Sequence, residues 1–501
     1  MRSHERDKRL SLLLLLLGLI IGLSVWRFSF LQLGPDVDTD SYGHHAISRQ
    51  LLITPALFPI HWVWLPLFHY VQAIAIYFGA TLQSIRWANM VAVALLPVLL
   101  FAILSSAKKT HQRTAFVACA LTAASPIVQQ MGTTGQPEPM FALLVLSFVW
   151  AMDRNRYILA GAALGAAALV RYEAWAVIVA TAGWLLLEWM TPAMAERANR
   201  PPRAWLVLFM ATSAIVFWAI LRWPGDGRWF AFLNQTRAFA NDAVGASSSF
   251  SVGVSQFVTD VAHYTAHTPW RLMGPILLIA PFGVRRVFQT HGPWFFGASL
   301  GCLGFITLSW ITRSSLGLDR HVFIVVPFYA TLVAHGVESI VDFVNRLVKR
   351  MTNEEPARAL GNVTFAALVI ACAAIQMPIL EAWMHEWGGA LAHGLPGPQA
   401  TAAFLDRELG GGPTPVIFCD ESTVEILTNL DRRAFDRHQL DDPKTLRVIR
   451  RAKARTDTLY VVTWMSKLTK LSQMGKVIYQ SPEATETSGL GVMRIDGPAT
   501  E

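Results

Sequence analysis

Apolar residues fall along this chain in long blocks, with polar and charged residues confined to the intervals between them. The first block, 10–31, is long enough to cross the ~30 Å hydrocarbon core of a bilayer. Further blocks lie at 87–104, 114–128, 140–152, 158–170, 174–187, 204–221, 272–284, 295–311, 322–333 and 363–377, which predicts about eleven spans. Several are shorter than the ~20 residues that cross hydrocarbon, so flanking residues and tilt must complete them. A basic start (Arg2, Arg6, Lys8, Arg9) makes the first block resemble a signal peptide. Its length exceeds the usual ~7–15-residue apolar region and no small-residue cleavage site follows, so a retained helix is expected.

After residue 377 the pattern changes. Short strand-like runs at 416–419, 458–462, 476–479 and 491–495 alternate with helix-compatible stretches at 421–430 and 444–454. That alternation predicts a small α/β domain. The expected organisation is a membrane domain over 1–380, with a first external loop at 32–86, and a soluble domain over 381–501. Gly410-Gly411-Gly412-Pro413 reads as a turn before the first strand, too isolated for a phosphate loop.

Composition agrees with the pattern. Of 501 residues 53% are hydrophobic and 15% charged, against about 25% charged in soluble proteins, and the mean hydropathy is +0.39. The net charge of +8 does not point to nucleic acid, because the basic residues occupy every second interval: Lys108, Lys109 and Arg113; Arg154 and Arg156; Arg197, Arg200 and Arg203; Arg285 and Arg286; Arg346, Lys349 and Arg350. Cytoplasmic loops have this character. A multi-pass plasma-membrane protein is expected, with a cytoplasmic N-terminus and an extracytoplasmic C-terminal domain. The stretch 61–80, with His61, His69 and Gln72 among aromatics, breaks the alternation if counted as a span; read as a helix lying in the interface, it leaves Asp40 and Glu138 on one side. Of the four cysteines, Cys119, Cys302 and Cys372 sit in apolar blocks and Cys419 stands alone, which argues against a disulfide scaffold.

The densest polar cluster, Asp36-Val37-Asp38-Thr39-Asp40-Ser41-Tyr42-Gly43-His44-His45, directly follows the first block. Ionisable residues at a membrane boundary mark a site by default. In an extended segment the three aspartates would share a face and suit either a divalent cation or proton abstraction by one carboxylate. The structural alternative is that they cap a helix beginning near Tyr42. Glu138, between Pro137 and Pro139, is either a second site carboxylate or a partner of a helix dipole. Arg171, in Arg171-Tyr172-Glu173, and Arg320, in Leu318-Asp319-Arg320-His321, run against the positive-inside trend; their forked donors suit phosphate, and the alternative is snorkelling to headgroups. Arg313 and His321 are weaker candidates. The interval 223–270, with Arg228, Asn234, Arg237, Asn241 and Asp242, is a long loop suited to gating an acceptor.

Asp40-Ser41-Tyr42-Gly43-His44-His45, continuing to Arg49, resembles the first-loop catalytic element of the GT-C superfamily of integral-membrane glycosyltransferases, of the protein-mannosyltransferase and aminoarabinose-transferase type. Glu138-Pro139-Met140-Phe141 is similar to a second acidic motif of that family, and Arg320 ahead of Pro327 to its late Arg motif. Stretches 43–58 and 62–80 match its two interfacial helices. The resemblance covers roughly 1–348 and omits the C-terminal domain, and the aromatic acceptor signature of oligosaccharyltransferases is absent.

The resemblance implies an α-helical polytopic GT-C fold and inverting transfer of a hexose or pentose from a polyprenyl-phosphate carrier to an extracytoplasmic hydroxyl on a glycan, lipid or protein. Asp40 would be the general base, with Asp38 and Glu138 as further catalytic carboxylates, and Arg171, Arg320 and His321 would bind the carrier phosphate. Tyr42, His44 and His45 would position the acceptor. A divalent cation held by Asp38, Asp40 and Glu138 is the metal expectation. The rival readings are a multi-pass transporter or carrier flippase and a non-catalytic envelope assembly protein.

Overall fold

The computed structural model describes residues 2–53, 55, 64–106, 110–191, 204–227, 229, 233–234, 254–312, 314–315, 317–350, 354–410, 415–436, 443–454, 458–485 and 488–496. His61, Arg313, the Gly411 to Pro413 part of the glycine turn, and Arg228, Arg237, Asn241 and Asp242 of the 223–270 interval lie outside these residues.

All eleven predicted blocks are helical. The helices are α1 (Arg2–Leu31), α2 (Thr39–Ile53), α3 (Leu67–Tyr77), α4 (Leu82–Leu104), α5 (Gln112–Ala123), α6 (Pro126–Met131), α7 (Glu138–Asp153), α8 (Tyr157–Ala168), α9 (Glu173–Met190), α10 (Trp205–Asp226), α11 (Val254–Ala262), α12 (Thr268–Met273), α13 (Ala280–Thr290), α14 (Pro293–Ile311), α15 (Val326–Lys349) and α16 (Glu354–His393). Among the described residues eight segments are long and apolar enough to cross a membrane. The expected count of eleven is higher because the blocks at 114–128, 140–152 and 158–170 form shorter helices, the first broken between α5 and α6 where Pro126 starts a new helix. Prolines at or near the first turn of α7, α13, α14 and α15 start those helices at little cost, since the missing N–H would have no helical partner there.

Contact clustering gives two compact units. The first comprises Met1–Leu33, Leu57–Val71 and Gln83–Gly388, and the second Gly34–Ala56, Gln72–Leu82 and Gly389–Glu501. In the first unit α15 is the axis: every residue from Val322 to Glu338 is buried. It packs on α13 and α5. Gly283 on α13 and Gly336 on α15 permit that approach, because a Cβ at either would fall within 2.2 Å of a carbonyl oxygen of the facing helix segment. On α8, Gly161 faces α10, where an added Cβ would press on the Met210 side chain. A polar cluster lies beside α15. Glu338, fully buried, accepts from Thr114 at 2.9 Å and pairs with Arg286 at 3.0 Å and His111 at 3.2 Å. His335 stands 3.6 Å from the same carboxylate and contacts His291 at 2.9 Å.

The second unit holds a five-stranded sheet of order β2-β1-β3-β5-β4. After α17 (Pro396–Leu409) come β1 (Val416–Cys419), α18 (Ser422–Leu427), β2 (Phe435–Asp436), α19 (Pro443–Lys453), β3 (Thr458–Trp464), α20 (Met465–Lys470), β4 (Lys476–Gln480) and β5 (Leu490–Asp496). β1 runs parallel to β2 and β3, while β5 lies antiparallel between β3 and β4. Alternation along the strands divides the core in two. Ile417, Cys419, Tyr460 and Val462 face α17 and α18; Phe418, Leu459, Val461 and Met493 face α19 and α20. Burial holds the Cys419 thiol well above its ordinary pKa. Helix α2 packs on α18, so the segment after the first span and the C-terminal domain share one unit.

Candidate active site

In the second unit, the aspartate run folds as a helix start. Asp36 accepts the backbone N–H of Asp38 at 3.0 Å, and Asp38 accepts that of Asp40 at 3.1 Å. The second bond is an N-cap bond, so α2 begins at Thr39 and not near Tyr42, and the extended one-face arrangement is not adopted. Asp40, half-buried, stands in the first turn, where the positive end of the helix favours a carboxylate. The Tyr42 hydroxyl donates to the Asp36 carbonyl at 2.8 Å and ties the loop to the helix. His44 and His45 are buried along α2. Burial, with Arg49 adding, lowers His45 to about 4, so this imidazole is neutral at neutral pH. Within the stretches 43–58 and 62–80 the described residues form helices, α2 and α3, each shorter than the stretch.

In the first unit, four charged side chains converge from separate elements. Arg171, in the link between α8 and α9, donates from Nη1 to Glu138 at 2.6 Å and from Nε and Nη2 to Glu173 at 3.0 and 2.7 Å. Arg320, in the 3₁₀ turn Asp319–Val325 that leads into α15, places its Nε 3.7 Å from the same Glu138 oxygen. Glu138 and Glu173 both sit in the first turn of their helices, α7 and α9, where the dipole offsets part of the cost of burying a carboxylate. Burial alone would lower Arg171, but Glu173 and Glu138 beside it raise it above its ordinary value. The guanidinium is permanently charged.

Around this core, His321 Nδ1 lies 3.2 Å from both the Tyr264 hydroxyl and Ser315. Asp319 accepts from Arg271 at 2.6 Å and from Thr268 at 3.2 Å. These contacts tie the Arg320 turn to α12 and to the π-helical turn His263–His267 before it.

Three expected residues, Glu138, Arg171 and Arg320, are thus brought together with His321 beside them, while Asp38, Asp40, Tyr42, His44 and His45 belong to the α2 segment of the other unit. Sequence reading missed Glu173, Tyr264, Asp319 and Arg271. Glu173 carried the same signal as Glu138, an acid opening an apolar helix, and stands two residues from Arg171. The metal expectation finds no support in geometry: no group of three or more His, Cys, Asp or Glu among the described residues is placed to hold a metal ion. Glu138, one of the three expected ligands, is engaged by guanidinium groups instead. What the cluster can do is present two guanidiniums to an anion, since the two recorded carboxylate partners use three of Arg171's five N–H groups.

Residues 64–223 match the family described as dolichyl-phosphate-mannose-protein mannosyltransferase. In three dimensions the chain is similar to ArnT from Cupriavidus metallidurans bound to undecaprenyl phosphate, with a TM-score of 0.61 at 13% identity over 96% of this chain and 97% of that one. The apo form of the same protein gives 0.58 at 14% identity, with the same coverage. No curated protein sequence matches the chain. At this identity the likeness establishes the fold.

Proposed function

From the GT-C resemblance that residues 64–223 and the whole-chain fold both carry, we propose that this protein is a lipid-carrier-dependent glycosyltransferase. It moves a sugar from a polyprenyl phosphate to an acceptor hydroxyl on the extracytoplasmic side of the membrane, with inversion at the anomeric carbon. The observation that carries the reading is the partly buried Arg171–Arg320 pair, gathered around the buried Glu138 within a fold shared with a protein bound to undecaprenyl phosphate.

In this reading the guanidiniums bind the carrier phosphate and stabilise the charge that grows on it as the glycosidic bond breaks. The acceptor hydroxyl gives its proton to Asp40 as its oxygen attacks the anomeric carbon. Tyr42 holds the Asp loop against the start of α2, which supports the base in a fixed place. The C-terminal domain, packed on α2 through α18, belongs to the acceptor side of the reaction. The sugar is a hexose or a pentose, and the acceptor a glycan, lipid or protein.

The test separates binding from chemistry. Purified protein is expected to bind undecaprenyl phosphate. Arg320→Ala should weaken that binding by about tenfold or more, the scale of a charge-assisted contact. Asp40→Asn should bind normally and lose transfer. Equal binding by Arg320→Ala and wild type, or full transfer by Asp40→Asn, contradicts the assignment.

A further inference from the structure

The carboxylates around Arg171 are not equivalent. Glu173 is held by two N–H groups of one guanidinium, a forked arrangement that fixes both partners. Glu138 makes one short bond to Arg171, and the same oxygen lies 3.7 Å from Arg320 Nε. Its second oxygen is buried and has no hydrogen-bond partner among the described residues. Glu138 therefore spans the two guanidiniums through a single oxygen, while half of its carboxylate is unused.

Charge then decides what a phosphate can do here. Arg171, Arg320, Glu138 and Glu173 are formally neutral as a group. A sugar-carrying phosphodiester brings one negative charge, and the carrier monophosphate released after transfer brings more. A neutral buried cluster has little to offer an anion unless one of its own carboxylates withdraws. Glu138 is the one held less firmly, and its shared oxygen lies where a phosphate oxygen would bridge Arg171 and Arg320.

We propose that Glu138 is a placeholder for the carrier phosphate: its carboxylate bridges Arg171 and Arg320 and gives way to the phosphate, while Glu173 keeps Arg171 in position throughout. The inference rests on the proposed function, because it takes polyprenyl phosphate as the ligand. It gives the two acids opposite roles. Glu138 competes with the ligand and tunes its release; Glu173 is a positioning residue for the arginine that binds it. No bond is made or broken in this exchange. The site trades one Arg–carboxylate pair for an Arg–phosphate pair, so it keeps its cations partnered at both stages.

The experiment is equilibrium binding of undecaprenyl phosphate to full-length protein in nanodiscs, comparing wild type with Glu138→Gln, Glu138→Asp and Glu173→Gln. Glu138→Gln removes the competing charge at constant volume and should tighten binding by about threefold to tenfold, at most the ~1.4 kcal/mol that one decade represents. Glu138→Asp, one methylene shorter, keeps the charge but reaches the two cations less well, and should fall between Glu138→Gln and wild type. Glu173→Gln should weaken binding by about tenfold, since it loosens the forked hold on Arg171. Sizing and thermal melting without ligand confirm that each variant is folded, and the two Glu138 variants give independent readings. If both Glu138 variants weaken binding as Glu173→Gln does, Glu138 is a brace and the placeholder is wrong. Wild-type protein that binds no polyprenyl phosphate overturns the functional reading itself, an outcome distinct from a reversed order among the variants.

Discussion

Glu338 offers the sharpest test of how the membrane fold is held together. It is fully buried on α15, accepts a hydrogen bond from Thr114 on α5 at 2.9 Å, and pairs with Arg286 on α13 at 3.0 Å and with His111 at 3.2 Å. One carboxylate thus joins three helices. Replacing it with Leu leaves Thr114 without its acceptor, which costs about 1–3 kcal/mol, and strips a buried partner from Arg286, for which about 3–5 kcal/mol is typical. Arg286 keeps Asp342, a half-exposed partner, and His111 is largely exposed, so the lower ends apply: about 4 kcal/mol for Glu338→Leu. Glu338→Gln retains an acceptor for Thr114 and should lose less, about 2 kcal/mol. The assay is reversible unfolding in mixed micelles followed by tryptophan fluorescence, paired with undecaprenyl phosphate binding. About 18 Å of α-helix separates Val326, next to the Arg320 turn, from Glu338, so binding by the folded fraction should be unchanged. A loss below about 1 kcal/mol for Glu338→Leu would show that the cluster does not hold the helices together. A binding defect as large as that of Arg320→Ala would refute its separation from the phosphate site.

Three further outcomes follow from the same geometry. Gly336→Ala should destabilise the fold by about 1–3 kcal/mol, because the added methyl meets the Ile279 carbonyl at the α13–α15 contact; the same unfolding assay reads it, and a neutral result would mean that the helices separate easily. His45 binds its proton near 6.5 when unfolded and near 4 when folded, so its neutral form stabilises the fold above about 6.5 and that contribution, roughly 3 kcal/mol, is lost as pH falls towards 4. His45→Gln should flatten that acid limb, as measured by unfolding across pH 4–7; an unchanged limb removes His45 as its cause. Tyr42→Phe deletes the bond to the Asp36 carbonyl and should cost about 1 kcal/mol of stability while lowering kcat for transfer; intact kcat would show that the Asp40 loop needs no such tie.

Much of the fold is legible in the chain because bilayer and sheet impose simple periods. Every predicted block is helical, and all four strand-like runs of the C-terminal region are strands. What eludes pattern is length and junction. The blocks read as spans at 140–152 and 158–170 form helices α7 and α8 shorter than a full crossing, and α5 and α6 are divided at Pro126. At the site, Glu138, Arg171 and Arg320 each stand out singly, as ionisable residues at the ends of apolar blocks. Their convergence does not show in sequence, because it depends on how α7, α9 and the turn before α15 pack. That packing also brings Glu138 to two arginines from distant segments. Asp38 illustrates the opposite lesson: the same residue fits a site and an N-cap, and only the bond to the Asp40 N–H reveals the cap.

The central claim is tested most directly by offering the purified protein a panel of radiolabelled polyprenyl-phosphate monosaccharides, with native envelope extracts as acceptor and Asp40→Asn alongside. The account predicts label transferred from one donor by the wild type and lost in the variant while carrier binding persists. Carrier binding without transfer from any donor would contradict it and favour a protein that moves the lipid and leaves the sugar in place.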